Sequence, residues 1–270
     1  MIFTTKDHQK DDYTNLTDEI IAIANQFNDI NTARLYHIDS YIGASRYVSD
    51  AQLIHRSIKY NGTVLDIGCG AGHMAYLLRR LGHKVIATDI VKPTPYFIGY
   101  YNTTFKNDDI DYHWFNILDS KAANPFEGMQ FDAICMSGVL EHVSDFGLFL
   151  KQLRPLLVQN GKLFIFRFPN RYSWIEKINE YRIGGKVDHP LRFTRKEINL
   201  MLRWHGYIID RTEFEEIFPV NLRGFSGPLR KLYQGINFML IPLSKLLCKT
   251  PPVNQLSTSY RIICRKAFDY

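Results

Sequence analysis

The chain has 270 residues, 46% hydrophobic and 22% charged, with a formal net charge of +6. This composition excludes a disordered chain, and a core of ordinary size can be buried without staples. Cys69, Cys135, Cys248 and Cys264 are scattered without a CxxC pair, which excludes a zinc cluster of paired cysteines and fits a reducing compartment.

Residues 1–15 are polar and read as loose, without the apolar stretch of a signal peptide. No run approaches the roughly 18–20 apolar residues of a membrane span, so a cytoplasmic protein is expected. From Thr17 to Phe27 apolar residues recur at helical spacing, with Thr17 or Asp18 as a cap. A second helical stretch, Ser49–Lys59, leads to the turn signal Asn61-Gly62 and completes an N-terminal helical cap, 1–60.

Strands and helices then alternate. Thr63–Ile67, Lys84–Thr88, Ile110–Phe115, Phe131–Met136 and Lys162–Phe168 read as short buried strands. Ala71–Leu81 carries a helical stripe stopped by Gly82, and the helix after Ser144 turns Phe146, Phe149, Leu150 and Leu153 inward before Asn160-Gly161. This alternation predicts an α/β fold with a parallel sheet covered on both faces. Tyr172–Tyr181 reads as a helix, Arg182–Leu191 as a loop, and Thr194–His205 as a helix opened by a Thr194–Glu197 capping box. Gly206–Phe218 and Ser259–Lys266 read as two last strands.

Between those strands lies an insertion, 217–257, that a compact sheet does not need. After Glu216 eight basic residues face a single acid, Asp269, so the last fifth of the chain carries the positive charge. In the insertion Leu229, Leu232, Tyr233, Ile236, Met239 and Leu240 recur at helical spacing, with Arg230 and Lys231 off that stripe. Pro242 is expected to kink or restart the helix before Leu243, Leu246 and Leu247. A basic amphipathic helix of this kind points to an anionic membrane surface at 223–250, or to a lid or dimer helix. Nucleic acid is not expected, because no dense basic and aromatic patch is present.

Chemistry enters at Asp66-Ile67-Gly68-Cys69-Gly70-Ala71-Gly72, after the first strand and opening a helix. Glycines there let the backbone approach a ligand, and the helix start offers unpaired N–H groups. Asp89 closes the second strand, where an acid can accept from ribose hydroxyls. A dinucleotide site would want glycine at position 73, where His73 stands.

These residues, with the ATDI acid, FNILD and FDAICMSGVLEHV, resemble the motifs of class I S-adenosylmethionine-dependent methyltransferases. The likeness covers roughly residues 45–216 and is greatest to the ubiquinone-biosynthesis O-methyltransferase-like group, whose fourth strand similarly ends in V-L-E-H-V. It implies a Rossmann-like doubly wound sheet of seven strands with the last antiparallel, a cofactor-binding core at 61–216, and a final strand within 258–270. It also implies that Gly68 and Gly70 cradle the amino-acid part of S-adenosylmethionine, with Asp66 near its ammonium. Asp89 would hold the ribose, Ile90 the adenine face, and Asn116 and Ile117 the adenine edge. Met136 and Ser137 would line the methionine portion, and Arg46 would reach its carboxylate. Gly138 stands where some relatives carry an acid thought to bind a metal, so no metal is expected.

A hydroxyl acceptor must lose its proton, which favours a histidine. His142 follows the fourth strand at the carboxyl edge, where ligands bind in such sheets, and His189 lies in a loop able to cover the acceptor. Each could instead serve only its own loop or cap. The expected activity is O-methylation of a small molecule, a glycan or a lipid-linked intermediate. A catalytically silent cofactor-binding or membrane-scaffold subunit is the alternative.

Overall fold

The computed structural model describes residues 11–26, 41–90, 110–119, 123–182, 189, 191–220 and 226–267. Among these, seven strands form one sheet: β1 (Thr63–Ile67), β2 (Lys84–Asp89), β3 (Asp111–Trp114), β4 (Phe131–Ser137), β5 (Leu157–Pro169), β6 (Tyr207–Glu215) and β7 (Ser259–Lys266). Their order is β3-β2-β1-β4-β5-β7-β6. The first five pair in parallel, and β7 runs antiparallel between β5 and β6. This is the seven-stranded sheet with a reversed last strand that the motifs implied.

Alternation along the strands divides the core in two. Leu65, Ile67, Ile134, Met136, Leu163 and Ile165 meet the helices α4 (Phe146–Leu153) and α6 (Arg195–Trp204). On the other face Val64, Ala133, Cys135 and Phe164 meet α1 (Asp11–Gln26), α2 (Tyr41–Ser57) and α3 (His73–Arg80). The remaining helices are α5 (Trp174–Arg182) and, in the insertion between β6 and β7, α7 (Gly227–Gly235) and α8 (Asn237–Leu247).

Several boundaries differ from expectation. The first helix begins at Asp11, six residues before the expected cap, so residues 11–15 are helical rather than loose. Gly72 takes φ 84 at the start of α3, which delays that helix to His73. Asn160-Gly161 does not precede β5 but sits inside it: Asn160 has φ 64, and the pairing jumps from Phe131↔Leu157 to Ala133↔Lys162. The pair sits in an irregularity of the pairing that puts extra residues on β5, so β5 counts from Leu157. Ser173 Oγ accepts from Glu176 N at 3.1 Å, moving the start of α5 to Trp174. The helical insertion breaks at Gly235–Ile236, while Pro242 lies within α8. Glycine is the weaker link there because an ordered helix costs it the most backbone entropy. The Thr194–Glu197 capping box is present. Most of the Arg182–Leu191 loop lies outside the described residues, as do 1–10 of the N-terminal segment. Among the described residues no helix is long and apolar enough to cross a membrane.

Candidate active site

The glycine loop is strapped to the end of β2. Gly68 N and Cys69 N both donate to Thr88 O, at 2.8 and 3.1 Å, and Gly70 N donates to Asp89 Oδ2 at 2.9 Å. Gly68, Gly70 and Gly72 all have positive φ (65, 54 and 84°). A Cβ on Gly68 would lie 2.3 Å from Val139 Cγ2, so at that position glycine answers both the torsion and the contact. Beneath the loop Asp66 is buried and accepts from Cys135 Sγ at 3.6 Å. Burial, with a contribution from the Asp89 charge, pushes its pKa up to about 7.

The other residues carried over from the motifs have diverse settings. Ile90 is exposed, and its carbonyl accepts from Trp114 Nε1 at 3.0 Å. Asn116 is exposed with Oδ1 accepting from Leu118 N at 3.0 Å, whereas Ile117 and Met136 are buried in the core. Ser137 Oγ accepts from Arg167 Nη1. Arg46 forms an ion pair with Glu216. Sequence reasoning missed Trp114 and Arg167. An exposed aromatic at the end of β3, level with Asp89, was the available signal for the first; nothing local marked the second.

His142 and His189 come together. A 3-10 turn, Leu140–His142, follows β4 and leaves His142 exposed over the fully buried Glu141. The two imidazoles are 5.7 Å apart between centroids. His189 Nδ1 lies 3.5 Å from Glu141 Oε1, and its Nε2 lies 3.9 Å from Glu176 Oε1. Glu141, His142 and His189 each offer a ligand atom within 4.8 Å of the others, a spacing able to hold a metal ion. The sequence had argued against a metal on the strength of Gly138 alone. That glycine leaves room beside the carboxylate, since its Cβ would sit 3.6 Å from Glu141 Oε1.

A separate cavity of about 710 Å³ opens where α2, the end of β6 and α8 meet, with Arg46, Phe214, Glu216, Leu240 and Arg261 in its wall. Neither the glycine loop nor either histidine lines it. Buried ion pairs connect the two regions: Asp50 binds Arg167 at 2.8 Å and Arg261 at 2.6 Å, and Arg261 binds Glu215 at 2.7 Å. Burial nevertheless pushes the Glu215 carboxyl upward, Arg261 opposing it.

A family model described as a methyltransferase domain matches residues 44–211. The chain belongs to this methyltransferase family. It is 32% identical over 105 residues to the ubiquinone biosynthesis O-methyltransferase of Bartonella tribocorum, which covers 39% of this chain and 40% of that protein. The likeness to the protein of the same name from Pelagibacter ubique is 32% over 108 residues, 39% of this chain and 41% of that one. The chain thus spans about two fifths of the length of the curated relatives it matches.

Among solved structures, this methyltransferase shares its fold with a 1,6-didemethyltoxoflavin-N1-methyltransferase of Burkholderia thailandensis (TM-score 0.52, 16% identity, 95% of this chain and 90% of that one). A S-adenosylmethionine-dependent methyltransferase of Methanosarcina mazei gives a TM-score of 0.54 at 17% identity, over 80% and 98% of the chains. S-adenosylmethionine, the cofactor the motifs imply, can be set against the residues of this methyltransferase domain. The residues present fit it: two carboxylates, Asp66 and Asp89, near enough for one to raise the other's pKa, suit a group bearing cationic sulfonium and ammonium centres.

Proposed function

We propose that this methyltransferase acts on an oxygen of a small amphiphile, a glycan or a lipid-linked intermediate, with His142 as the base and His189 in support. The observation that carries the reading is the convergence of His142, His189 and buried Glu141 just after β4. Gly68 and Gly70 present backbone to the cofactor, Asp66 faces its ammonium, and Asp89 holds its ribose while bracing Gly70. Ile90, with Trp114 beside it, offers apolar surface to the adenine; Asn116 and Ile117 shape its edge. Met136 and Ser137 close the methionine side, and Arg46 reaches that end by leaving Glu216.

When bound, S-adenosylmethionine supplies an electrophilic methyl whose sulfur leaves neutral, so the protein's tasks are alignment and proton removal. His142 takes the acceptor hydroxyl proton as the oxygen–carbon bond forms. The positive charge then rests on His142, and His189, set between Glu141 and Glu176, keeps its ring beside it and the carboxylate of Glu141 close by.

A second reading is favoured by Glu141, whose two buried carboxylate oxygens have no hydrogen-bond partner among the described residues beyond the 3.5 Å approach of His189. In that reading Glu141, His142 and His189 hold a divalent cation that lowers the pKa of the acceptor hydroxyl.

Calorimetric titration with S-adenosylhomocysteine, on wild type and Asp89→Ala, comes first. Saturable binding weakened at least about tenfold by the substitution, ~1.4 kcal/mol, supports the cofactor half of the reading. Absence of binding by wild type overturns it. Transfer of labelled methyl to hydroxylated acceptors, with and without chelator, then separates a histidine base from a metal and both from a silent subunit.

A further inference from the structure

The exposed apolar side chains of the insertion form one row. Leu229, Leu232, Ile236, Met239, Leu243 and Leu246 follow each other at intervals of three and four residues, each between 39 and 64% exposed. Such intervals keep them on one side of a helical path. The helices are fastened to the body beside and behind this row: Tyr233 Oη, flanking it, donates to Pro219 O at 2.8 Å, and Ser244 Oγ accepts from Ile217 N at 3.0 Å. Tyr233, Leu240, Ile241 and Ser244 line the 710 Å³ cavity. With the helices anchored there, the row faces outward.

Lys231 and Lys245 are exposed on the same two helices and Lys249 in the turn just after α8, and no acidic residue occurs anywhere in 217–257. A contiguous apolar row of this size on a surface marks a contact. Charge decides the occupant. A second copy of the insertion would bring lysines against lysines, with no acid in the segment to meet them. An anionic bilayer meets both features, phosphate for the lysines and hydrocarbon for the row. Neither α7 nor α8 is long enough to span a membrane, whereas either can lie in the headgroup plane.

We infer that α7 and α8 dock onto an anionic lipid surface, apolar row inward to the lipid. The same helices wall the cavity, so an amphiphilic acceptor dissolved in the bilayer reaches it beneath them. This second step rests on the acceptor reading proposed above; the docking itself does not.

The test uses the full chain and vesicles of phosphatidylcholine alone or mixed with phosphatidylglycerol. Expected is cosedimentation with the mixed vesicles at low ionic strength, weakened by salt, and little with phosphatidylcholine alone. A Leu232→Ser/Leu246→Ser variant should lose at least about tenfold in partitioning while binding S-adenosylhomocysteine as wild type does, which shows that it is folded. Absence of cosedimentation, or equal binding to both vesicles, overturns the inference. So does a wild-type dimer in sedimentation equilibrium that the double variant dissolves, which would assign the row to a second copy. Failure of S-adenosylhomocysteine binding by wild type would instead strike the methyltransferase reading and leave the docking result intact.

Discussion

His142 and His189 hold their rings 5.7 Å apart although one follows β4 and the other lies beyond α5. Glu141 approaches one side of His189 and Glu176 the other. A histidine set between two carboxylates is held in place beside its neighbour, which is free to work on a substrate proton.

That arrangement predicts the outcome of removing either ring. His142→Ala should lower kcat for a hydroxyl acceptor by about 10²–10⁴-fold, and His189→Ala by a smaller factor. Both should bind S-adenosylhomocysteine within about twofold of wild type, ~0.4 kcal/mol. Steady-state kinetics beside calorimetry checks the split; unchanged kcat in both variants would reduce the pair to loop anchors.

Gly68→Ala is expected to destabilise the protein by about 1–3 kcal/mol through overpacking, because its Cβ meets Val139 Cγ2 at 2.3 Å. Adding Val139→Ala should return part of that loss, leaving the cost of φ 65. Urea unfolding of the two single variants and the double one measures the coupling. An additive result would show that the contact is relieved some other way.

Asp50 is 1% exposed and carries both Arg167 and Arg261. Asp50→Ala leaves two buried cations short of a partner and should cost about 3–5 kcal/mol. Asp50→Asn keeps the shape and should recover only a minor part, since the charge is what both arginines need. Denaturation midpoints of the two variants decide it; equal stability to wild type would mean that Glu215 and Glu216 suffice.

Two buried groups predict opposite pH trends. His73 is held down to about 3 by burial, against an ordinary 6.5. Unfolded chain therefore takes up a proton below about 6.5 that the folded chain refuses, and stability falls as pH drops from there toward 3. Asp66 is raised to about 7 from 3.8. Its contribution is fully present below 3.8 and is lost as pH rises to about 7, by up to ~1.4 kcal/mol per unit. Asp66→Asn should thus gain on ligand-free wild type between pH ~4 and ~7 and level off above. His73→Gln should lose less on acidification than wild type, whatever its stability at neutral pH. Thermal melts across that range compare slopes, and parallel curves would refute both assignments.

The candidate site was legible where its signal is local. The glycine loop and Asp89 are marked by residue type and by their place after β1 and β2, and Gly70 N does reach Asp89 Oδ2. His142 and His189 stood out singly, because each follows a strand or sits in a loop at the right edge; their proximity did not. Asn160-Gly161 misled because the same dipeptide serves a turn between elements or a break of register inside a strand, and only pairing with β4 shows which. Arg167 was invisible because its partners, Asp50 and Ser137, lie on α2 and β4.

What the amino-acid sequence determined by itself is the order of elements, the glycine loop with Asp89 and the basic insertion; the reversed last strand was implied only by the resemblance of the motifs. The first three follow from periodicity, glycine torsion and charge, which act within a turn or two of chain. Only the tertiary structure decided which distant groups meet: the histidine pair over Glu141, the ion pairs joining α2 to β5 and β7, and the side of α7 and α8 that faces out. Such contacts depend on strand order and helix rotation. Those are settled by burying two apolar faces of one sheet at once, a condition on the whole chain.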